Sequence, residues 1–281
     1  MELTHIAQRD GRLSSFLKGE MKMSTGLINR LKWQEKILVN GAAQHNDYAV
    51  KSGDVITAML DEEEPNYPPQ DGKITILYED AHLLAVDKPA GMLIHPSHSK
   101  NDDTLANFVL GYYVRTGQKC AFHPVTRLDR DTFGIVLLAK NSHIHTLLQN
   151  TQVQKTYYAW VLGGPEDDWG TIDAPIARRP MPSLLREVRE DGKPSVTEYA
   201  VLERQEGVTK LALRPITGRT HQLRVHCAYM GYPILGDPQY GTAECIRNLP
   251  YQQLCAKKLE LHHPVTGEVL ILESKMDVKN A

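Results

Sequence analysis

Two stretches of the chain carry side chains whose types and spacing could do chemistry. The first, Thr126-Arg127-Leu128-Asp129-Arg130-Asp131-Thr132-Phe133-Gly134, sets carboxylates among arginines just before the apolar run Ile135–Ala139. A carboxylate flanked by guanidinium groups, in a turn that enters a buried strand, is held oriented as an anion. That suits a nucleophile or a general base, and Asp129 is the candidate. Taken alone, the stretch also fits a surface loop laced with ion pairs. The second stretch, residues 216–226, reads ITGRTHQLRVH. Gly218 makes a turn and Thr220 can cap a helix, predicted over Thr220–Met230. His221, Arg224 and Ala228 recur at i, i+3 and i+7, so one helix face pairs an arginine with a histidine and can receive a carboxylate from elsewhere.

Charge distribution sets this second stretch apart. The chain as a whole has 32 Lys and Arg against 34 Asp and Glu, a formal net charge of −2, which announces no nucleic-acid partner. Between Gly207 and Gly236, however, there is no acidic residue, while Lys210, Arg214, Arg219 and Arg224 all fall inside. Residues 1–60 are also basic on balance, with Arg9, Arg12, Lys18, Lys22, Arg30, Lys32, Lys36 and Lys51 against six acids. Local excess of this kind, rather than the total, is what neutralises phosphates.

The elements that must hold these residues belong to two parts. DEEEPNYPPQDG, residues 61–72, combines four consecutive acidic residues with three prolines and reads as a solvated linker. Before it, residues 1–60 form a small αβ module, with Ser24 capping a helix whose Leu27, Ile28 and Leu31 make an apolar stripe. The strand Ile37–Val39 then runs into an Asn40-Gly41 turn, and Val55–Thr57 follows the turn Lys51–Asp54. After it, residues 73–281 show strands at Ile74–Tyr78, Leu83–Val86, Ile135–Ala139, Tyr157–Leu162, Thr197–Leu202 and Leu211–Leu213. Asp103-Thr104 can cap a helix with Leu105, Phe108, Val109 and Tyr112 on one face. No regular βαβ period appears, so the expected class is α+β with a mixed, mostly antiparallel sheet.

The length of 281 residues and a 41% hydrophobic content suit one large domain or two unequal ones with a real core. The first residues, MELTHIAQRDGR, contain no apolar signal region, and no apolar run approaches the roughly 20 residues of a membrane span. A cytoplasmic protein is expected. Cys120, Cys227, Cys245 and Cys255 form no C-x-x-C pair. Cys245, Cys255 and His262-His263 can be drawn as a zinc site, but the spacing fits no standard pattern; reduced, mostly buried thiols are expected.

Taken together, the motifs resemble the RluA-type pseudouridine synthases. The resemblance runs from about residue 74 to 272. It rests on Asp87-Lys88-Pro89-Ala90-Gly91, Arg127-Leu128-Asp129, Lys155-Thr156-Tyr157-Tyr158-Ala159, Gly192–Thr197, Gly218–His226 and Gly231–Asp237, six motifs in the family's order. Residues 1–60 resemble the alpha-L RNA-binding domain named after small-subunit ribosomal protein four, through Arg12-Leu13, Phe16-Leu17, Ser24–Arg30, Val39-Asn40-Gly41 and Gly53–Ile56.

The resemblance implies cofactor-free, metal-free isomerisation of a uridine in structured RNA, ribosomal more than transfer RNA, by a protein expected to act as a monomer. Asp129 matches the family's essential aspartate, which attacks the anomeric carbon or the base, or removes a sugar proton. Tyr157 matches the tyrosine packed against the target base, and Arg224 the arginine paired with the catalytic carboxylate. Arg127 matches the arginine that holds the uridine out of its stack, with Arg219, His221 and Gln222 expected beside the substrate. Arg12, Arg30, Lys32 and Lys36 are the expected RNA contacts of the module. Two departures stand out: Thr126 replaces the family's His, and Phe133 puts a ring where a small hydroxyl usually sits, which predicts a reshaped loop or altered substrate choice. An RNA-binding relative with lost or altered activity is the competing reading.

Overall fold

Hydrophobic alternation and turn chemistry account for the small module. Its elements are β1 (Glu2–Ile6), β2 (Gly11–Arg12), α1 (Leu13–Gly19), α2 (Thr25–Trp33), β3 (Ile37–Val39), β4 (Ala42–Ala43), β5 (Ala49–Val50) and β6 (Val55–Met59). A computed structural model describes residues 1–97, 100–246 and 249–279 of the protein. Ser24 caps α2, its Oγ accepting from the Leu27 amide at 3.2 Å. Asn40 and Gly41 both take positive φ, as a two-residue β3–β4 hairpin requires. The strands pair antiparallel in the order β1-β6-β3-β4. Leu13, Phe16 and Leu17 of α1 and Ile28 and Leu31 of α2 are buried with Ile37, Val39 and Ile56 of this sheet.

The body contains β7 (Thr75–Glu79), β8 (Leu83–Lys88), α3 (Leu105–Arg115), β9 (His123–Pro124), β10 (Phe133–Ala139), α4 (Ser142–Gln149), β11 (Gln154–Leu162) and β12 (Trp169–Asp173). It continues with β13 (Ile176–Arg178), β14 (Arg186–Val188), β15 (Val196–Gln205), β16 (Val208–Pro215), α5 (Gln222–Tyr229), β17 (Leu254–His262) and β18 (Val269–Glu273). Ten of these strands form one sheet with the path β12-β15-β16-β11-β17-β10-β8-β7, while β18 pairs with β17 and β9 with β10. Every described pairing is antiparallel except β10 with β17, where Phe133 meets Cys255 and Gly134 meets Ala256. The class is therefore α+β with a mixed, mostly antiparallel sheet. Gly134 is needed at the parallel seam: its φ is +107°, and a Cβ there would lie 2.4 Å from the Ala256 carbonyl oxygen.

Strands β8 and β10 are buried on both faces, which their continuous apolar runs permit. Leu84, Val86, Val136 and Leu138 pack with Leu105, Val109 and Leu110 of α3. The alternate residues Leu83, Ala85, Ile135 and Leu137 join Ile144 and Leu148 of α4 in a second cluster, and that cluster is continuous with the core of the module. Thr104 caps α3 with a full capping box to Asn107.

The stretch 61–72 is exposed over much of its length, as its composition suggests, but it is tied down by specific contacts. Glu62 pairs with Lys119 at 2.7 Å, and Glu63 pairs with His123 and accepts the Ser142 amide at 2.9 Å. Asn66 exchanges hydrogen bonds with the Phe122 backbone, and the Pro68 carbonyl accepts from Asn107. Residues 61–72 thus form a strap along the body: Glu62, Glu63 and Asp71 find donors there, while Asp61 pairs with Arg30 and Lys36 of the module.

Elements α4, β12–β14, β17 and β18 have no counterpart in the sequence reading. In β17 the adjacent Lys257 and Lys258 interrupt the apolar pattern, although Leu259 and Leu261 are buried. All four cysteines are free thiols, three buried and Cys120 half-buried. Among the described residues no group of three or more His, Cys, Asp or Glu is arranged to hold a metal, and no helix is long and apolar enough to cross a membrane.

Candidate active site

Four anchors fix the loop that carries Asp129. At its start, Thr126 Oγ1 accepts the Leu137 amide at 2.9 Å, closing the loop onto β10. At its end, Thr132 Oγ1 accepts from Gln252 Nε2 at 2.5 Å. Leu128 packs against the α3 cluster. From beneath, Lys88 Nζ donates to the carbonyls of Pro89, Met92 and Arg130, each at 2.9 Å, tying the loop to β8. Lys88 is fully buried, and burial pulls its pKa down to about 7 against the opposing charges of Asp131 and Asp129.

Helix α5 brings the partner of that carboxylate. Arg224 is buried and divides its guanidinium: Nη1 donates to Asp129 Oδ2 at 3.1 Å, while Nε and Nη2 donate to the two oxygens of Asp237 at 2.7 and 2.8 Å. Gln239 Oε1 accepts from Nη2 as well. Burial alone would lower the Arg224 pKa, but the bonds and charge of Asp237, and then Asp129, carry it above the ordinary value. Arg224 is thus a permanent cation preset beside Asp129. Asp237 has no exposed surface and also accepts the amides of Gln239 and Tyr240.

His221 completes the polar side of the site. The expected Thr220 cap is absent: α5 begins at Gln222, and His221 stands at the N-cap in the left-handed region, φ 59°, with Thr220 exposed. A non-glycine residue there is strained, and the strain is held by its side-chain contacts. His221 Nδ1 lies 2.8 Å from Tyr240 Oη, which accepts the Arg186 amide of β14 at 2.9 Å. The phenol hydrogen is free to serve Nδ1, and the other ring nitrogen, Nε2, faces Asp129 Oδ2 at 3.9 Å. Burial lowers the His221 pKa, with the charge of Arg224 adding to it and the charge of Asp129 opposing it. Tyr157 lies in β11, and burial followed by the charge of Asp129 pushes its phenol well above the ordinary value, so it remains a proton donor.

These groups share one cavity of about 1120 Å³ whose wall includes Arg127, Asp129, Tyr157, Arg219, His221, Gln222 and Arg224. The structure therefore brings together all seven residues singled out for the site, but not all in the expected manner. Gln222 is buried with its carboxamide fully engaged: Oε1 accepts from Thr217 Oγ1 and the Arg219 amide, and Nε2 donates to the Val196 carbonyl and Thr197 Oγ1. It builds the turn before α5 rather than facing a ligand. Arg127 and Arg219 are exposed at the cavity; Arg219 Nε donates to the Pro194 carbonyl, and Arg127 has no carboxylate partner among the described residues.

The Phe133 ring is buried with Trp160, Leu235, Cys255 and Val278 and forms no part of the cavity wall. Asp237, Gln239 and Tyr240 were missing from the sequence reading as site residues, because they lie in an irregular segment with no periodicity. Their only signal was the Gly231–Asp237 motif just before them. In the module, Arg12 is exposed and Lys32 half-buried beside the Trp33 ring, but Arg30 and Lys36 both pair with Asp61, at 3.0 and 2.6 Å.

Comparison with known proteins agrees with this geometry. Residues 82–229 match the RNA pseudouridylate synthase family. An uncharacterized RNA pseudouridine synthase of Bacillus subtilis is 34% identical over 100% of this chain and 95% of its own length. The ribosomal large subunit pseudouridine synthase D of Nitrosomonas europaea is 38% identical over 86% of this chain and 74% of its own. Among solved structures, human RNA pseudouridylate synthase domain containing 1 superposes with a TM-score of 0.61 at 27% identity, covering 74% of this chain and 86% of that one. The chain belongs to the RluA-type RNA pseudouridine synthases, enzymes that isomerise uridine within RNA.

Proposed function

We propose that this protein converts a uridine of ribosomal RNA to pseudouridine, with Asp129 as the catalytic aspartate. The observation that carries the reading is the Asp129–Arg224 contact at 3.1 Å, in a cavity that Tyr157 also lines. A target base must leave its stack to reach Asp129, at a cost of a few kcal/mol, and Arg127 at the cavity edge is suited to filling the gap it leaves. Tyr157 then offers a stacking surface worth about 1–3 kcal/mol. The glycosidic bond between N1 and C1′ breaks, the base turns, and C5 bonds to C1′. The C5 proton is lost and N1 gains one, so the reaction balances as an isomerisation. Asp129 acts at the sugar or base, with Arg224 stabilising its anionic form between steps.

The module supports substrate choice in this reading as an RNA anchor of the alpha-L kind, through Arg12 and Lys32. The site is complete within one chain, which supports a monomer, and ribosomal RNA as substrate supports a cytoplasmic location.

The test uses ribosomal and transfer RNA carrying tritium at C5 of uridine. Tritium release by the wild type that disappears in Asp129→Asn is the expected result. Equal release by both proteins, or none by the wild type from either RNA, overturns the proposal. For the anchor, Arg12→Glu with Lys32→Glu is expected to weaken RNA binding and flatten its salt dependence; unchanged binding removes that role.

A further inference from the structure

Among the described residues of the body, the buried and half-buried lysines each meet an acceptor, with one exception. Lys88 donates to three carbonyls, and Lys140 is paired with Glu79 and the Asp80 carbonyl. Lys210 is paired with Asp277, and Lys257 with the Ser274 and Met276 carbonyls and Glu273. Lys155, in β11 two residues before Tyr157, meets no acceptor and no carboxylate among the described residues. It is nevertheless held far enough inside that burial alone lowers its pKa. It lines the same cavity as Asp129 and Tyr157.

A buried ammonium without a counter-charge is costly, and proteins retain one where a ligand supplies the missing anion. The cavity cannot supply it. Among the described residues Asp129 is the single carboxylate in its wall, and it is paired with Arg224. On the part of the wall formed by α4 and the start of β11, His145 spends its Nε2 on the Pro124 carbonyl, which leaves Lys155 as the cation there. At about 1120 Å³ the cavity also exceeds the roughly 300–1,000 Å³ typical of a small-molecule pocket. There is room for sugar-phosphate beyond one extruded base.

We propose that Lys155 forms a phosphate subsite, receiving a backbone phosphodiester of the RNA adjoining the target uridine. The inference rests on the synthase reading above. In it, Lys155 pulls the strand on one side of the flipped nucleotide while Tyr157 takes the base. Its contribution is to substrate binding rather than to bond breaking.

The experiment follows location of the converted uridine by sequencing. Short RNAs containing it are made with the phosphate on its 5′ side, or on its 3′ side, replaced by a neutral methylphosphonate. Each is assayed with the wild type, Lys155→Met and Lys155→Arg. One of the two replacements is expected to raise the wild-type KM about tenfold and to leave Lys155→Met, whose KM is already raised by a similar factor, indifferent. In Lys155→Met kcat stays within about twofold, and the slope of log KM against log salt falls by about 0.7. Lys155→Arg restores most of the affinity. Thermal unfolding of Lys155→Met is expected at or above the wild-type temperature, since an uncompensated charge has been removed.

A wild type insensitive to both replacements overturns the subsite and needs no variant that must fold. So does a Lys155→Met protein with wild-type KM, or one still sensitive to the replacement that weakens the wild type. Absence of any conversion by the wild type would instead count against the synthase reading, so the two failures are distinguishable.

Discussion

Arg224 Nη1 lies 3.1 Å from Asp129 Oδ2, yet the rest of the same guanidinium is committed to Asp237. The fixed end of the arginine is buried and the working end is not: Asp237 has no exposed surface, whereas the Asp129 side chain is 31% exposed. The two carboxylates therefore answer differently to neutralisation. Asp237→Asn leaves a buried cation half-satisfied and is expected to cost about 3–5 kcal/mol in urea unfolding, along with most of the activity. Asp129→Asn is expected to change stability by less than about 1 kcal/mol while abolishing conversion. Comparable unfolding curves for the two variants would refute this division.

Tyr240 connects the β14 backbone at Arg186 to His221. Tyr240→Phe keeps the ring under Arg224 and removes one neutral hydrogen-bonding hydroxyl, worth about 0.5–1.5 kcal/mol. If that bond sets the imidazole proton toward Asp129, kcat should fall by roughly 2- to 10-fold with RNA affinity unchanged. A variant with the wild-type rate would show that the tautomer is set by other contacts.

Asp61 holds both Arg30 and Lys36. Asp61→Asn frees two cations on the module, and RNA binding should strengthen at low salt. Its salt dependence should steepen by about 0.7–0.9 for each cation that reaches a phosphate. Titration of labelled ribosomal RNA at several salt concentrations checks this, and a weaker complex would mean that the pair supports the RNA-binding surface rather than masking it.

His226 is buried as a neutral ring, its Nε2 donating to the Ala174 carbonyl and its Nδ1 accepting from Thr197 Oγ1. Burial lowers its pKa from 6.5, and His82 and His143 are lowered for the same reason. The unfolded chain then takes up protons at a higher pH than the folded one, so stability is lost as pH falls through 6.5 toward the depressed folded values. Each histidine contributes about 1.4 kcal/mol per pH unit of depression. Urea unfolding of the wild type and of His226→Gln across this range should give a shallower slope for the variant; parallel slopes would assign the loss to other groups.

Local signals were legible wherever the structure uses local rules. Ser24 and Thr104 cap the helices expected of them, and the Asn40-Gly41 turn closes its hairpin. Asp129 and Arg224 were legible through motif resemblance and helical spacing. What escaped depends on partners that sequence separation hides. Asp237 reaches Arg224 from an irregular segment, and Gln222 turns inward because Val196 and Thr197 offer it partners from β15. Glu63 looked solvated, but His123 and the start of α4 take up its carboxylate.

The apolar cluster that runs without a break from the module into the body has a consequence for target choice. Two units sharing one core do not swing relative to each other, so the exposed Arg12 and the carboxylate of Asp129 keep a constant separation. With the module as the RNA anchor proposed above, the protein would behave as a caliper. An RNA gripped there would offer for conversion only a uridine that its own fold places at the other jaw, and the choice would be written in the spacing of the RNA's fold rather than in its letters.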